Sequence, residues 1–391
     1  MRKDFLPFSR PLIGEDAIAD VADSIRSGWL SMGPKTVSFE KNFANYTKAS
    51  WAISVNSATA GLHTALAALG IGKGDEVITT PMTFAATVNA ILFTGAKPVF
   101  ADIDRNTLNI DADKVEAAVT PQTRAVIPVH FAGMPCDMDR IEEIADKNGL
   151  AIIEDAAHAL GASYKGRRIG ADRGSRRASV FSFHPTKNIT TGEGGMICTE
   201  DEDLAEAASM FRQNGMSKGA WNRYAAKGSA NYDILFPGLK YTMTDIQAAI
   251  GNSQIRDLEN FNSRRRQIAS IYMKELADIS GIMLPKPAPW EHVHCWHIFT
   301  PLIDIDRLGI TRDEFMAEMK EQNIGTALHY QALHLFTCYG KATGLTRGSL
   351  PEAEYVSDRI VSLPLFPAMT DEDVYDVIEA ARTVCEKKRL S

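Results

Sequence analysis

The chain has 391 residues, a formal net charge of −7 and 23% charged residues. The acidic balance argues against a nucleic-acid-binding surface, and the length predicts two domains rather than one small core. Five scattered cysteines favour neither a disulfide framework nor a zinc site, which suits a reducing cytoplasm. The amino terminus has no signal-peptide pattern, and no stretch reaches the roughly 20 apolar residues that span a bilayer. We therefore expect a cytoplasmic protein that binds neither membrane, nucleic acid nor metal.

Two helices are predicted near the amino terminus, at 15–27 and near 35–47. Between them, two glycines and a proline in "SGWLSMGP" break any helix. From about 51 to 199, short β-rich runs alternate with helical segments, which predicts a mostly parallel sheet with helices on both faces. The predicted strands are "WAISV", "EVITTP", "KPVFAD", "AVIPVHF", "AIIED", "SVFSF" and "GMICT", and the helices between them include 58–69, 83–94 and 138–148.

A long helix is predicted at 244–276, and a smaller α/β domain follows it. In that domain "CWHIFTPLID" and "GTALHY" are predicted strands, and "TRDEFMAEMKEQN" is a predicted helix. The last helix is predicted after Thr370, where a Thr-x-x-Asp pattern resembles a capping box. We predict an α/β fold: residues 1–250 form an amino-terminal arm and a large domain with a mostly parallel seven-stranded sheet, and residues 251–391 form the bridging helix and the small domain. Ligands of such sheets bind beyond the carboxyl ends of the strands, so the residues there are candidates for function.

The turn after the first predicted strand is a candidate phosphate site. In "SVNSATAGLHTAL", the small residues Ser57, Ala58 and Thr59 expose backbone N–H groups at the start of a helix. The helix dipole favours an anion at the same place. Simple capping of the helix by Asn56, Ser57 or Thr59 is the alternative.

The strand "AIIED" ends in two carboxylates, Glu154 and Asp155, which a buried strand tolerates only when they are paired or functional. Asp155 could keep a pyridine nitrogen protonated, as pyridoxal 5′-phosphate requires, or it could cap a helix. His158 could contact the hydroxyl of such a ring or stack near it; a satisfied core histidine explains it equally well. Phe84 follows another strand and could stack on a ring or pack in the core.

Lys187 lies in "SFHPTKNITTGEGG", after a strand in which Ser182 and His184 share one face. Most loop lysines are solvated. A lysine at a strand end can instead form an imine with an aldehyde when its surroundings keep part of its amine neutral. The Ser57 turn, Asp155 and Lys187 together supply a phosphate cup, a pyridinium partner and an amine at one edge of the sheet. This set predicts pyridoxal 5′-phosphate as the cofactor.

Six segments, in order, resemble motifs of the DegT/StrS family of sugar aminotransferases: "NSATAGLHTAL", "PMTFAATVNAIL", "EDAAHALGA", "FSFHPTKNITTGEGGM", "TDIQAAIG" and "SLPLFP". The resemblance implies a fold-type I aminotransferase that acts as a homodimer with active sites at the subunit interface. It also implies transfer of an amino group from L-glutamate to a keto group of a nucleotide-linked sugar, for cell-surface polysaccharide or lipopolysaccharide synthesis.

The resemblance also implies a role for each motif residue. Lys187 would bond covalently to the cofactor, and Asp155 would face its pyridine nitrogen. Lys240 matches a segment that enters the neighbouring subunit's site, where many relatives carry asparagine; a lysine there suits a phosphate. The remaining implied cofactor contacts are Ser57, Ala58, Thr59, Phe84, His158 and Ser182.

Three segments, "PGLKYTMTDI", "GTALHYQALH" and "SLPLFPAMT", look most like the branch that makes UDP-4-amino-4-deoxy-L-arabinose, which aminates a 4-ketone of a UDP-pentose. In that branch His329 and Tyr330 would meet the sugar nucleotide, and Trp29 and His184 are further candidates. Alternatives are a 3-ketone, a dTDP- or GDP-linked sugar, a sugar dehydratase that uses the same cofactor, and a regulatory relative. Dehydratases of the family replace the lysine. The arginines of 167–179 could bind a diphosphate or form a solvated loop.

Overall fold

The computed structural model describes residues 2–217 and 232–389. At its amino-terminal end, helices α1 (Glu15–Ser27) and α2 (Pro34–Thr47) match the predicted helices to within one residue. α1 stops at Gly28, whose φ of +79° lies in the left-handed region that glycine adopts without steric cost. α2 starts at Pro34, a position where the missing N–H would have had no partner within the helix.

The first nine strands of the chain are β1 (Trp51–Val55), β2 (Glu76–Thr79), β3 (Lys97–Phe100), β4 (Thr123–Ile127), β5 (Ala151–Asp155), β6 (Ser163–Tyr164), β7 (Arg167–Arg168), β8 (Arg177–Ser182) and β9 (Gly195–Thr199). Seven of them form the central sheet, in the order β1-β9-β8-β5-β4-β2-β3. β9 pairs antiparallel with β1 and β8, and the other neighbouring pairs are parallel. The predicted mostly parallel seven-stranded sheet is confirmed.

Helices cover both faces of this sheet, as the alternating strand residues show. Ile152 packs in one buried cluster with the phenylalanines of α2, and its neighbour Ile153 packs in another on the opposite face. Leu62 and Leu66 complete the second cluster. The helices of this part are α3 (Ala58–Ala68), α4 (Ala85–Phe93), α5 (Ala112–Ala118), α6 (Met138–Asn148), α7 (Glu202–Phe211) and α8 (Asp245–Glu275).

The long helix α8 connects the sheet to the carboxyl-terminal part of the chain. It begins at a capping box, in which Gln247 N donates to Thr244 Oγ1 (3.2 Å) and Thr244 N donates to Gln247 Oε1 (2.9 Å). Leu258 in its first half packs in a core cluster of the sheet, and Tyr272 in its second half packs in a separate cluster with Leu6. The predicted boundary between residues 250 and 251 falls inside this helix and stays a prediction.

The remaining elements are β10 (Ile282–Met283), β11 (His292–Val293), β12 (Leu302–Ile303), α9 (Ile305–Leu308), α10 (Arg312–Glu321), α11 (Thr337–Thr343), α12 (Pro351–Ser357) and α13 (Asp371–Arg389). The capping box at Thr370 is confirmed, because Asp373 N donates to Thr370 Oγ1 (3.1 Å) and Thr370 N donates to Asp373 Oδ2 (2.9 Å).

Of two strands predicted in this part, one is shorter than predicted and the other is absent. "CWHIFTPLID" contains β12 and a single bridge from Phe299 to Leu363, and Trp296 near its start has a φ of +49°, outside the extended region. "GTALHY" forms no strand, because its one pairing residue, Ala327, makes a single isolated bridge to Ser362. The residues on either side of Ser362 pair elsewhere: Leu363 with Phe299 and Ile360 with Leu302. Among residues 2–217 and 232–389, no helix combines the length and apolar character that a membrane crossing requires.

Candidate active site

A cavity of about 1050 Å³ opens beyond the carboxyl ends of β5 and β8. This is the edge of a parallel sheet at which ligands bind, and the volume is at the upper end of the range for small-molecule sites. The structure brings most of the sequence-predicted residues together there. Those that line the cavity are Ser57, Ala58, Thr59, Phe84, Asp155, His158, Ser182, His184, Lys187, His329 and Tyr330.

The turn at Ser57 forms one end of the cavity. Ser57 is the N-cap of α3, and its side chain accepts a hydrogen bond from Ala60 N at 3.1 Å, so the predicted cap is present. The backbone of β9 packs tightly against the turn: a Cβ placed on Gly195 would lie 2.8 Å from Ala58 N. The turn therefore sits at the amino end of an 11-residue helix, where the dipole favours an anion.

Asp155 lies at the end of β5 with its carboxylate held by two donors. Thr87 Oγ1 donates to Asp155 Oδ2 at 2.7 Å, and Ala157 N donates to Oδ1 at 3.2 Å. Thr83 Oγ1 lies 2.8 Å from Thr87 Oγ1, and since Thr87 already donates to Asp155, Thr83 is the donor of that bond. Burial raises the pKa of Asp155, and these hydrogen bonds and the charge of Lys187 oppose the rise. Turns rather than a helix follow Asp155, so the prediction that it caps a helix is wrong.

Glu154, the other carboxylate of this strand, points away from the cavity. Its oxygens accept from His130 Nε2 at 2.7 Å and from Ser179 Oγ at 2.8 Å. Burial alone would raise the pKa of Glu154, but the hydrogen bond and charge of His130, with the charge of Arg173, lower it to about 2. Of the two strand-end carboxylates, Asp155 therefore belongs to the cavity and Glu154 to a paired network behind it.

Lys187 follows β8 in a loop that is held by hydrogen bonds within the loop and to α8. Its backbone N donates to His184 O at 2.9 Å, and the neighbouring Asn188 side chain donates to Asn262 Oδ1 of α8 at 2.6 Å. Burial lowers the pKa of Lys187 to about 8, although the charge of Asp155 raises it. Its amine is therefore partly neutral near physiological pH, unlike that of a solvated lysine.

Three aromatic side chains form a series of contacts that begins at the amine of Lys187. His297 Nε2 lies 3.4 Å from Lys187 Nζ, and the His297 ring centroid is 4.3 Å from that of His158. His158 Nε2 in turn lies 2.9 Å from the hydroxyl of Tyr330. Burial and the charge of Lys187 lower the pKa of His158 and of His297, which keeps both rings neutral. The predicted contact of His158 with a cofactor hydroxyl stays a prediction, because its Nε2 is bonded to Tyr330.

Two predicted residues lie outside the cavity of this chain. Trp29 and Lys240 are both exposed and do not line it. The arginines of 167–179 also lie away from it. Arg173 and Arg177 approach Glu142 at 2.7 and 3.4 Å, and the Arg173 side chain is only 5% exposed. The solvated-loop prediction is therefore wrong for Arg173, and the stretch contributes no arginine to the cavity.

Sequence reasoning missed Thr83, Thr87 and His297. Thr87 touches Asp155 across 68 positions of the chain, and His297 touches Lys187 across 110. A threonine inside a helix and a histidine in an apolar segment are both common, so the local sequence does not identify either of them as a site residue. Within the described ranges, no group of histidine, cysteine, aspartate and glutamate side chains could hold a metal ion.

Comparison with known proteins places the chain among enzymes. Residues 11–382 match the model of the DegT/DnrJ/EryC1/StrS aminotransferase family. The spore coat polysaccharide biosynthesis protein SpsC of Bacillus subtilis is 48% identical over 384 residues, which cover 98% of each chain. The uncharacterized protein MJ1066 of Methanocaldococcus jannaschii is 50% identical over 390 residues, which cover all of each chain.

Solved structures are similar over the same length. The putative sugar aminotransferase Spr1654 of Streptococcus pneumoniae, in its PMP-form, superposes with a TM-score of 0.90 at 33% identity. The match covers 98% of this chain and 100% of that chain. The same protein has also been solved in a PLP-form. The fold-type I architecture predicted from the sequence is confirmed.

Proposed function

The chain belongs to the DegT/DnrJ/EryC1/StrS aminotransferase family, and we propose that it moves the amino group of L-glutamate to a keto group of a nucleotide-linked sugar. Its cofactor is pyridoxal 5′-phosphate. The observation that carries this proposal is the meeting of Lys187, Asp155 and the Ser57 turn in one cavity. The names of two relatives, one of polysaccharide biosynthesis and one of a sugar aminotransferase, support the class of acceptor.

The residues present fit the cofactor. The amino end of α3 offers backbone N–H groups to a phosphate, and Asp155 offers a buried carboxylate to a ring nitrogen. Lys187 offers an amine whose pKa of about 8 suits bonding to an aldehyde. When bound, the cofactor supplies that aldehyde and a ring that takes up electrons from the α-carbon of the donor. The further residues that would hold it are Ser57, Ala58, Thr59, Phe84, His158 and Ser182.

Lys187 is the group placed to move protons. Because its pKa is lowered, Nζ is partly neutral and can accept a proton from the α-carbon of glutamate and return it later. Asp155, held by Thr87, would supply the carboxylate for the ring nitrogen. The neutral rings of His158 and His297 add no positive charge beside Nζ, so they do not repel its protonated form.

The acceptor that we propose is the 4-ketone of a UDP-linked sugar. The three segments that resemble the UDP-4-amino-4-deoxy-L-arabinose branch support this choice. His184, His329 and Tyr330 line the cavity and are the proposed sugar contacts. We also propose a homodimer in which Lys240 enters the partner's site, as the family resemblance implies; Lys240 is exposed and does not line the cavity of its own chain. Trp29, the further substrate candidate, is likewise exposed.

The acceptor can be identified with the aminated form of the cofactor. Glutamate is added to the purified protein, and the change in the visible absorbance of the bound cofactor is recorded. A panel of 4-keto and 3-keto sugars linked to UDP, dTDP or GDP is then added, and we expect a UDP-linked 4-keto sugar to restore the original spectrum. A protein that does not respond to glutamate would contradict the donor, and one that responds to no sugar would contradict the acceptor class.

The roles of Lys187 and Lys240 can be tested in the same assay. We expect Lys187→Ala to abolish both the visible absorbance and the turnover, whereas Lys165→Ala, at an exposed ion pair with Asp139, should leave both unchanged. If sites are shared, co-refolding Lys187→Ala with Lys240→Ala should restore activity that each variant lacks alone. Absence of any recovery would contradict the shared site.

A further inference from the structure

The main chain at Ala132 fixes the hydrogen-bonding state of His158. Ala132 N lies 3.3 Å from His158 Nδ1, and a backbone N–H can only donate, so Nδ1 accepts. Ala132 has a φ of +56°, an uncommon conformation for alanine, and its N–H contacts the imidazole. The His158 carbonyl also accepts from Cys295 Sγ at 3.0 Å, which helps to hold the backbone of His158.

The accepting role of Nδ1 determines what the other ring nitrogen does. Burial and the charge of Lys187 lower the pKa of His158, so the ring is neutral and carries one N–H. That hydrogen must be on Nε2, because Nδ1 is occupied as an acceptor. His158 Nε2 lies 2.9 Å from the hydroxyl oxygen of Tyr330, and it therefore donates to that oxygen.

The hydroxyl of Tyr330 is then left with its own hydrogen to donate. Burial raises the pKa of Tyr330, so the hydroxyl keeps this hydrogen at physiological pH. In residues 2–217 and 232–389, His158 is the one hydrogen-bond partner found for this hydroxyl, and the side chain lines the cavity. Because Tyr330 lines the cavity, this hydrogen is available to an acceptor atom of a bound ligand.

We propose that Ala132 N–H, His158 and Tyr330 form a hydrogen-bond relay with one direction, which makes the Tyr330 hydroxyl a donor to an oxygen atom bound in the cavity. The donation from His158 to Tyr330 follows from the contact of Ala132 N–H with Nδ1 and from the 2.9 Å distance between Nε2 and the Tyr330 hydroxyl. The identity of the oxygen rests on the proposed function: it belongs either to the cofactor ring or to the keto sugar. Tyr330 would recognise an acceptor there and would discriminate against a group that can only donate.

The direction of the relay can be read without any catalytic assay. The full chain is labelled with ¹⁵N-histidine, and the imidazole ¹⁵N chemical shifts are measured, with His158 assigned by its loss in His158→Gln. We expect the spectrum of His158 to show an unprotonated Nδ1 and a protonated Nε2. A protonated Nδ1 on His158, whether neutral or cationic, would overturn the relay. This result stands even if no sugar proves to be aminated, so it separates the relay from the proposed function.

Variants then show what the relay donates to. Tyr330→Phe removes the hydroxyl, and we expect an affinity loss of about tenfold. If the acceptor is on the cofactor, the loss is in the dissociation constant of the cofactor, measured by titration of the cofactor-free chain. If the acceptor is on the sugar, that constant is unchanged and the KM of the sugar rises. A variant that changes neither overturns the donor role.

Substitutions at His158 provide the matched control. In His158→Gln the amide oxygen can accept from Ala132 N and the amide nitrogen can donate to Tyr330, so the direction of the relay is kept. His158→Leu cannot do either and should match the loss of Tyr330→Phe, with thermal unfolding used to check that it is folded. Equal losses in the Gln and Leu variants would overturn the relay, since a purely structural role for the ring would produce that result.

Discussion

Replacing Thr87 with valine should weaken the hold on Asp155 without changing the shape of the helix. The two side chains are nearly isosteric, Thr87 is fully buried and Asp155 is 5% exposed, so water cannot replace the lost donor. The 2.7 Å bond from Thr87 Oγ1 is a hydrogen bond to a charged group, which typically contributes about 1.5–3 kcal/mol. Asp155 would keep one of its two donors, and its pKa, already raised by burial, would rise further.

The effect on stability has a definite pH dependence. Because the pKa of Asp155 is raised in the folded state, its ionised form destabilises the fold at pH values above that pKa, and the penalty disappears as the pH falls below the unfolded value. Urea unfolding of cofactor-free Thr87→Val near neutral pH should therefore show a loss of about 1.5–3 kcal/mol that shrinks in acid. Thr83 also loses its partner, but that loss does not depend on pH.

Cofactor affinity gives the second measurement. A carboxylate that is harder to ionise is a poorer partner for a protonated ring nitrogen, so we expect the dissociation constant of the cofactor to rise at least tenfold. Thr87→Ser keeps the hydroxyl and loses one methyl group, which costs about 0.8 kcal/mol at every pH. If Thr87→Val behaves like Thr87→Ser across the pH range and binds the cofactor normally, the argument for the Thr87–Asp155 contact is refuted.

Three further predictions concern the same cavity and its surroundings. Covalent capture of the cofactor by the cofactor-free chain should accelerate as the pH rises through about 8, the pKa of Lys187, and stopped-flow absorbance measures this rate. In Asp155→Asn the midpoint of the rate-versus-pH curve should lie at lower pH, because the charge of Asp155 raises that pKa. Gly195→Ala places a Cβ 2.8 Å from Ala58 N and should cost about 1–3 kcal/mol in urea unfolding and weaken cofactor binding. Arg173→Met should lower the melting temperature but leave the KM of the sugar unchanged, and a raised KM would place the 167–179 stretch in substrate binding.

The sheet region could be predicted from the sequence because its signals are local. β5 is a buried run bounded by turns, and α1 and α6 are helices with stop signals at Gly28 and Gly149, so their observed bounds match the predicted ones. The carboxyl-terminal strands failed for the opposite reason. Their apolar residues predicted strands, but a strand also needs a partner segment: Ala327 pairs only through an isolated bridge to Ser362, which the local sequence does not reveal.

The same distinction applies to the cavity. Lys187 and Asp155 could be predicted because Asp155 ends one strand of the sheet and Lys187 follows another, and the topology of parallel sheets brings such positions together. The contacts that adjust them could not be found, because Thr87 and His297 come from distant segments whose local sequence carries no such information. The direction of the His158 hydrogen bonds depends on its contact with the backbone N–H of Ala132, 26 positions away, which no residue pattern reveals.

The antiparallel strand β9 has a consequence for the order in which the protein is made. In the part of the chain that the structure describes, β1 lies at the edge of the sheet beside β9, and Trp51 pairs with Thr199. During synthesis β1 therefore stays without this partner until just over half of the chain, through Thr199, has left the ribosome. Such distant pairings form slowly, and unpaired strand edges promote aggregation. The Ser57 turn is the direct continuation of β1, so a nascent chain shorter than this has no complete cradle with which to capture the cofactor.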